Sequence, residues 1–230
     1  MPQSTKLDAV LEIVGSKLVP GQLPAGTVFT LQDIMTKFNI SRTVAREVMR
    51  ALEHMGLVAA SRRVGLTVQP EESWDPFNPM LIRWRLAHTE TRSAQLASLL
   101  ELRRAVEPAA ARCAATVASD DARSELSRLA RFLDSEGHAG RGAEQDFLHA
   151  DIEFHSLVLR SSGNAFYAAL APAVVSVMQG RTELGLQPRI PDEAALVGHV
   201  ELAEAIAAAD PAGAEKAARA IVQEATEALS

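Results

Sequence analysis

The stretch Leu31–Leu57, LQDIMTKFNISRTVAREVMRALEHMGL, decides the fold of the first part of this chain. Apolar residues recur through it at helical spacing, which predicts two short helices that bury one face. These residues are Ile34, Phe38, Val44, Val48, Ala51, Leu52 and Met55. The sequence Phe38-Asn39-Ile40 breaks the first helix, and Ser41 is a good N-cap for the second. The stretch therefore predicts a helix, a tight turn and a second helix.

The second of these helices carries polar side chains in its first turns. Arg42, Thr43 and Arg46 point outward from it, where their donors can meet base edges if the helix lies in the major groove of DNA. This is the arrangement of a recognition helix. An ordinary helical hairpin with a solvated arginine face has the same pattern, so both interpretations stay open for this stretch alone.

The residues that follow favour DNA binding. Residues 57–60 and 66–68 have the composition of two short strands, and the turn between them contains Arg62 and Arg63, which predicts a β-hairpin wing. Arginines on a wing suit contacts to phosphates or to the minor groove. Residues 1–70 are therefore predicted to form a winged helix-turn-helix domain. Its predicted DNA-binding residues are Ser41, Arg42, Thr43, Arg46, Arg62 and Arg63.

The distribution of charge supports this division of the chain. The whole sequence has 23 basic and 29 acidic residues and a net charge of −6. Residues 1–70 hold eight Lys or Arg against five acids, whereas the remaining 160 residues hold 15 basic and 24 acidic groups. A basic first domain and an acidic second one place the polyanion-binding surface in the first.

The rest of the chain is predicted to be helical. Residues 71–79, EESWDPFNP, are acidic and proline-rich, as expected of a linker. Residues 80–230 are predicted to form an all-α bundle of about six to seven helices. The predicted helices are roughly 79–88, 92–118, 120–136, 143–161, 164–185, 192–209 and 211–229, after an amphipathic helix at 6–19. The fold class is therefore mainly α.

Two observations bear on the compartment. No run of about eighteen apolar residues occurs, so no membrane span is predicted. The first residues lack a signal-peptide core, so we expect a cytoplasmic protein. Cys113 is the single cysteine, which rules out an internal disulfide bond.

Polar residues interrupt the apolar faces of the predicted bundle. Asp151 and His155 lie one helical turn apart, His199 lies on another apolar face, and Arg103 lies on a third. Asp151, His155 and His199 could be three ligands of one divalent metal ion, and Arg103 offers a planar fork for a carboxylate. An Asp–His hydrogen bond with a separately satisfied core histidine explains the same pattern, so both readings stay open.

The chain resembles a known family. LPAGTVFTLQDIMTKFNISRTVAREVMRALEHMGLV (23–58), preceded by a helix and followed by a basic wing, is similar to the winged helix of the GntR family of bacterial regulators. Three motifs resemble the FCD ligand-binding domain of its fatty-acid-regulator subgroup: ELRRAVEPAAARCAA (101–115), ADIEFHSLVLRSSGN (150–164) and GHVELAEAIAAAD (198–210). The resemblance implies that Arg42, Thr43 and Arg46 read bases and phosphates, and that the protein is a homodimer. The family usually has an acidic-Arg-acidic run where this chain has residues 26–28, Gly-Thr-Val.

The resemblance also implies a cofactor. Many members of the family hold zinc or nickel with one aspartate and three histidines at the centre of the bundle. Asp151, His155 and His199 match three of these ligands, and Ile221 stands at the position of the fourth. The implied site thus has only three protein ligands, completed by water or by oxygens of an effector.

The segment WDPFNPMLIRW (74–84) narrows the resemblance to members that respond to sugar acids, the galactonate-type operon repressors. The implied function is repression of a sugar-acid catabolic operon. An aldonate such as galactonate or gluconate, bound at Arg103, Asp151, His155 and His199, would release the protein from a palindromic DNA operator. The alternative is a metal-dependent enzyme that acts on a small hydroxy acid through Asp151, His155 and His199. It is disfavoured because no nearby residue is an evident general base or nucleophile, so we expect no enzyme.

Overall fold

The structure is a computed structural model that describes residues 3–61, 65–183, 185 and 187–227. The predicted wing arginines Arg62 and Arg63 lie outside the described residues. Packing divides the chain into two compact units, residues 1–95 and 96–230. The chain is mainly helical with one small antiparallel sheet, which confirms the predicted fold class. Among the described residues, no helix has both the length and the apolar character that a membrane span needs.

The first unit is a winged helix-turn-helix. Its helices are α1 (Gln3–Leu18), α2 (Leu31–Phe38), α3 (Arg42–His54) and α4 (Pro79–Ala87). Its strands are β1 (Val28–Phe29), β2 (Val58–Ser61) and β3 (Gly65–Val68), in the order β1-β3-β2 with antiparallel pairing throughout. The predicted wing hairpin is thus present as β2 and β3. Strand β1 had not been predicted, because two residues carry too little periodicity to identify a strand.

Local capping explains where α2 and α3 begin and end. Thr30 accepts a hydrogen bond from the Asp33 N–H, and the Asp33 carboxylate accepts one from the Thr30 N–H, which is a reciprocal capping box. Asn39, in a left-handed conformation with φ of 48°, ends α2. Ser41 Oγ accepts from the Val44 N–H at 3.3 Å, which confirms the predicted N-cap of α3.

Residues 71–87 pack into the first unit. A short 3-10 helix (Glu71–Ser73) precedes Trp74, which is buried and donates its indole N–H to the Gln69 carbonyl at 3.0 Å. The Trp84 indole N–H donates to the Glu12 carboxylate at 2.8 Å. The packing boundary therefore falls after residue 95 rather than at the predicted 79/80, because the apolar side chains of the predicted linker and of α4 bury in the first unit.

The second unit is a helical bundle. It contains most of α5 (Thr89–Val117), then α6 (Asp120–His138), α7 (Gln145–Arg160), α8 (Ala165–Ala169), α9 (Ala171–Glu183), α10 (Glu193–Ala207) and α11 (Pro211–Glu227). The single helix predicted at 164–185 is divided into α8 and α9. Pro172, which lacks an N–H and restricts the preceding residue, lies in the first turn of α9, so a new helix begins there.

Alanine lets the helices of this unit approach one another closely. Ala111, Ala114 and Ala115 of α5 and Ala214 and Ala218 of α11 are fully or almost fully buried in one core. Larger side chains, among them Phe154, Leu126 and Leu133, fill the space between them. The close approach brings polar side chains on α5, α7 and α10 within contact distance of one another.

The contact between α1 and α4 gives a first prediction. A methyl group at Gly15 would lie 2.5 Å from the Trp84 ring. We expect Gly15→Ala to lower the free energy of unfolding of the first unit by about 1–3 kcal/mol, since overpacking outweighs the roughly 1 kcal/mol by which alanine favours a helix. The measurement is chemical denaturation followed by tryptophan fluorescence, because both tryptophans lie in this unit.

Ser16→Ala, on the same helix but half-buried, is the matched control and should change the midpoint little. An unaltered midpoint for Gly15→Ala would mean that α4 does not pack on α1 as described.

Candidate DNA interface and ligand pocket

Helix α3 presents a polar face to solvent and an apolar face to the core. Ser41, Arg42, Thr43 and Arg46 are exposed, as the prediction requires. The opposite face buries Val44, Ala45, Val48 and Leu52. Among the described residues, Arg50 pairs with Glu47 at 2.9 Å, whereas no such contact joins Arg42 or Arg46 to another side chain. The guanidinium groups of Arg42 and Arg46 are thus available to an external anion.

A polar cluster lies inside the second unit, where the packing of α5, α7 and α10 brings the predicted residues together. Arg103 and Glu107 come from α5, Asp151 and His155 from α7, and His199 from α10. All are buried except Asp151, whose side chain is 16% exposed. His155 Nε2 lies 3.5 Å from Asp151 Oδ1 and 3.3 Å from His199 Nε2, and His199 Nε2 lies 3.3 Å from the same carboxylate oxygen.

Hydrogen bonds on the far side of each imidazole fix its tautomer. His199 Nδ1 lies 2.6 Å from the Ala195 carbonyl oxygen, which only accepts, so Nδ1 carries the hydrogen. His155 Nδ1 lies 2.5 Å from Glu107 Oε2 and donates to that carboxylate. The Nε2 atoms, on the other side of each ring, lie beside Asp151 Oδ1. Phe154 packs edge-on against both rings, with centroids 5.7 and 5.0 Å away, and holds their planes.

The geometry of these three atoms fits a metal ion. Zinc bonds of about 2.0–2.2 Å in tetrahedral geometry separate the ligand atoms by roughly 3.3–3.6 Å. The three candidate ligand atoms are 3.3–3.5 Å apart. Glu107 behind His155 and the Ala195 carbonyl behind His199 match the partners that orient metal-binding histidines. The donor set and its supports therefore fit a divalent cation.

The electrostatics of the cluster favour positive charge between the carboxylates. Burial would raise the pKa of Glu107, but the charges of Arg103 and His155 outweigh it and lower this pKa to about 2. Burial would lower the pKa of His155, but the charge of Glu107 and hydrogen bonds to Asp151 and Glu107 raise it to about 9. Burial opposes the ionised form of Asp151 too, and hydrogen bonds with His155 and His199 still hold its pKa below the usual range. A proton or a metal ion can supply the required charge.

Arg103 is less free than the sequence suggested. Its Nε donates to Glu107 Oε1, and its Nη2 lies 3.5 Å from His155 Nε2. Part of the predicted carboxylate fork is thus used inside the protein. Glu107 had not been predicted as part of the site. The sequence feature that could have identified Glu107 is its position four residues after Arg103 on one helix, where opposite charges share a face.

A small pocket opens beside the cluster. It has a volume of about 50 Å³, and its walls include Ile221 and Glu224 of α11. The segment 187–191 between α9 and α10 closes another side through Gln187, Pro188 and Pro191. The Gly142 N–H donates to the Arg189 carbonyl at 2.8 Å and ties this segment to the turn after α6. The pocket has room for an ion and about one water molecule.

Ile221 occupies the position implied for a fourth metal ligand. Its side chain is 3% exposed and lies against Gly198, where an added methyl group would be 2.7 Å from Ile221 Cγ1. The residue next to Gly198 is His199. An apolar group therefore stands beside the three polar ligand atoms, and α11 supplies no donor at this position.

A winged helix-turn-helix and a helical unit with a buried polar pocket define the class of ligand-responsive DNA-binding regulators. Family comparisons agree with this. The model for "Bacterial regulatory proteins, gntR family" matches residues 7–68, and that for the FCD domain matches residues 98–224. The chain belongs to the GntR family of bacterial transcriptional regulators, with an FCD domain as its second unit. The predicted family resemblance is confirmed.

Individual relatives extend over nearly the whole chain. The galactonate operon transcriptional repressor of Escherichia coli is 29% identical over 97% of this chain and 96% of its own length. The transcriptional repressor NanR of Cronobacter sakazakii is 26% identical over 81% of this chain and 70% of its own length. Two solved structures share the fold. McbR/YncC of E. coli is 15% identical with a TM-score of 0.54, and the match covers 96% of this chain and 95% of that one. A GntR protein of Streptococcus agalactiae is 20% identical with a TM-score of 0.52, and the match covers 96% of this chain and 99% of that one.

The buried ion pair gives a second prediction. Glu107→Leu leaves the Arg103 guanidinium buried without its carboxylate, and we expect it to lower the free energy of unfolding by about 3–5 kcal/mol. Replacing both partners, as Arg103→Met with Glu107→Leu, should recover part of that loss, because the guanidinium is removed together with its carboxylate and only His155 Nδ1 is left without its acceptor. Chemical denaturation followed by far-UV circular dichroism measures both effects.

The exposed pair of Arg128 and Glu125 is the matched control. Glu125→Leu should change the free energy of unfolding by about 1 kcal/mol or less, because water screens that pair. A Glu107→Leu effect no larger than this control would contradict the described burial of the Arg103–Glu107 pair.

Proposed function

We propose that this GntR-family regulator represses a sugar-acid catabolic operon and is released from its operator by an aldonate such as galactonate or gluconate. The observation that carries the effector class is the similarity to the galactonate operon repressor, which spans almost the full length of both chains. The polar pocket of the FCD unit supports it, because Arg103, Asp151, His155 and His199 offer both charge and hydrogen bonds to a hydroxy acid. The protein would act in the cytoplasm, where its DNA is.

In this proposal α3 reads the operator. Arg42, Thr43 and Arg46 contact bases and phosphates, and Ser41 caps the helix while its hydroxyl hydrogen remains able to reach a phosphate. Arg62 and Arg63 remain predicted wing contacts. A homodimer would place two copies of α3 about one helical turn of DNA apart, which requires a palindromic site.

The pocket would hold a divalent metal, zinc or nickel, through Asp151, His155 and His199. When bound, the metal would supply a Lewis-acidic centre with open positions for oxygen ligands. Glu107 and the Ala195 carbonyl would keep the two imidazoles in the ligating tautomer. Arg103 would attract the effector's carboxylate from the adjacent wall.

We propose that effector binding enlarges this pocket. An aldonate needs several times the volume of a water molecule, whose share of the liquid is about 30 Å³, whereas the pocket has about 50 Å³. The segment 187–191 is the wall with the least secondary structure, so we propose that it moves outward when the effector enters. A ligand that binds one arrangement better than the other shifts the population toward it, which is the basis for release from DNA.

The alternative enzyme would use the same three ligands for turnover of a hydroxy acid. The relatives whose names state a function are transcriptional regulators, which favours sensing over catalysis.

The test of the regulator is selection of bound sequences from random DNA duplexes. We expect a palindrome to be enriched, bound with a steep dependence on salt and released by galactonate or gluconate. Arg46→Ala should weaken binding of that palindrome about tenfold or more, because a base or phosphate contact contributes about 1–3 kcal/mol. Lys216→Ala, an exposed lysine of the acidic unit, is the control and should leave affinity unchanged. If no site is enriched, the result contradicts the operator proposal.

The metal proposal predicts stabilisation of the FCD unit. Zinc at about 100 times its dissociation constant should stabilise the folded protein by about 2.7 kcal/mol. The measurement is the rise in thermal midpoint when zinc is added to protein that a chelator has freed of metal. His199→Ala should abolish this shift, whereas His149→Ala, an exposed histidine outside the cluster, should retain it. Equal zinc shifts in both variants would contradict the proposed ligands.

Ile221→His sharpens this test, because it returns an imidazole to the wall beside the three ligand atoms. We expect it to raise zinc affinity at least tenfold in competition with a chelator of known affinity. Unchanged affinity in a folded Ile221→His protein would show that residue 221 does not face the metal.

A further inference from the structure

The turn after α6, residues 139–142, contacts the wall of the pocket that segment 187–191 forms. The Gly142 N–H donates to the Arg189 carbonyl at 2.8 Å. Within the part of the chain that the structure describes, this is the backbone hydrogen bond that joins the segment to another part of the unit. Of the five residues of the segment, Pro191 is the buried one. Few contacts therefore attach this wall, and those at Gly142 are the main ones.

Gly142 is buried at a position where a side chain does not fit. A Cβ atom there would lie 2.6 Å from the Pro191 ring and 2.8 Å from the Pro188 carbonyl oxygen. A proline ring and a backbone oxygen cannot rotate aside as the end of a flexible side chain would, so a larger residue at 142 must displace the segment. Both prolines also line the pocket. The close contact that glycine permits therefore fixes the position of the pocket wall.

A second contact joins the end of α6 to the start of α10 at the surface. His138 Nε2 lies 3.1 Å from Glu193 Oε2, and His138 Nδ1 lies 2.8 Å from the Asp134 carbonyl oxygen. The hydrogen bond to the Asp134 backbone and the charge of Glu193 raise the pKa of His138. Because water screens this exposed pair, we expect it to stabilise the observed position of the wall only slightly.

The observed position of the wall affects small and large ligands differently. The pocket has about 50 Å³, so an ion can reach Asp151, His155 and His199, none of which lies on the segment. An aldonate needs several times the roughly 30 Å³ of a water molecule, so it can enter only when the segment has moved. A ligand that binds only the open form has its apparent affinity reduced by the fraction of molecules that are open. The contacts at Gly142 therefore bear on aldonates and not on the ion.

We propose that the 139–142 turn is a regulatory element that holds segment 187–191 over the pocket and sets the concentration of sugar acid to which the regulator responds. The inference rests on the proposed function, because the pocket is the proposed effector site. Gly142 does not line the pocket, so it acts on affinity without touching the ligand. Weakening its contacts makes the regulator more sensitive, whereas loss of a residue that binds the effector makes it less sensitive.

The experiment measures the affinity of zinc-loaded wild type and Gly142→Ala for galactonate and gluconate by calorimetry, together with release of the selected operator. Zinc affinity is measured separately by competition with a chelator. We expect Gly142→Ala to bind an aldonate about fivefold more tightly, since the net contribution of one backbone hydrogen bond is of that order and no longer opposes opening. The operator should be released at a correspondingly lower aldonate concentration, and zinc affinity should stay close to that of wild type.

Arg141→Ala is the matched control, because this exposed neighbour of Gly142 pairs with Glu136 of its own helix and should behave as wild type. His138→Ala should give a smaller gain than Gly142→Ala. Hydrogen exchange of the amide at residue 142 in metal-free protein reports opening without any ligand, and it should be faster in Gly142→Ala. Thermal midpoints check folding. If Gly142→Ala does not fold, Pro191→Ala removes the ring atoms that Gly142 contacts and should give the same two gains.

Unchanged or weaker aldonate binding in folded Gly142→Ala would overturn the regulatory role, and so would amide exchange at residue 142 equal to that of wild type. Equal gains in zinc and aldonate affinity would also overturn it, because zinc needs no opening. If neither aldonate binds wild type or variant while operator binding persists, the inference fails and the DNA-binding regulator stands. If the operator is not bound either, the proposed function fails with it.

Discussion

Charge neutralisation inside an alanine-rich bundle is the constraint on which the second unit depends. A buried carboxylate or guanidinium is costly unless it is paired and hydrogen-bonded. Here Arg103 pairs with Glu107, Glu107 with His155, and both His155 and His199 with Asp151. Because these residues come from α5, α7 and α10, the cluster holds three helices in register. The network is satisfied only when these helices pack together, so we expect it to favour one arrangement of the bundle.

The first unit depends on the caps of its helices and on residues 71–87, which were predicted to be a linker and the start of the second domain. Thr30, Asn39 and Ser41 set the limits of α2 and α3, and this fixes which residues of α3 face solvent. Residues 71–87 then add both tryptophans to the core of this unit, Trp74 beside Gly56 and Trp84 against α1. Trp84 stacks where Gly15 leaves room for its ring, and Glu12 accepts from its indole N–H. The chain that leads to the second unit is therefore part of the core of the first.

The parts of the structure that could be predicted from the sequence are those that local chemistry decides. Helical periodicity and a serine cap gave α3 and its exposed arginines, and the spacing of Asp151 and His155 placed them on one face. Glu107 was missed because a charge on a helix usually lies in water, and its burial depends on contacts from α7. Ile221 was recognised as a departure from the family, but its packing against Gly198 is a tertiary fact. The division at Pro172 was missed because the apolar pattern continues through it.

The charge of the pocket constrains how an acid could act as the effector. Glu107 engages Arg103 and His155, and its pKa near 2 shows how strongly its ionised form is held. A ligand carboxylate that approaches Arg103 therefore enters a region that already contains Glu107, Asp151 and Glu224. Positive charge between these carboxylates favours its binding, and either a proton on His155 or a divalent cation held by Asp151 Oδ1 and the two Nε2 atoms would supply it. Ile221 brings no ligand atom to this pocket, so an ion held there by Asp151, His155 and His199 would have three protein ligands. Its remaining coordination positions would then be open to oxygen atoms of water or of an effector.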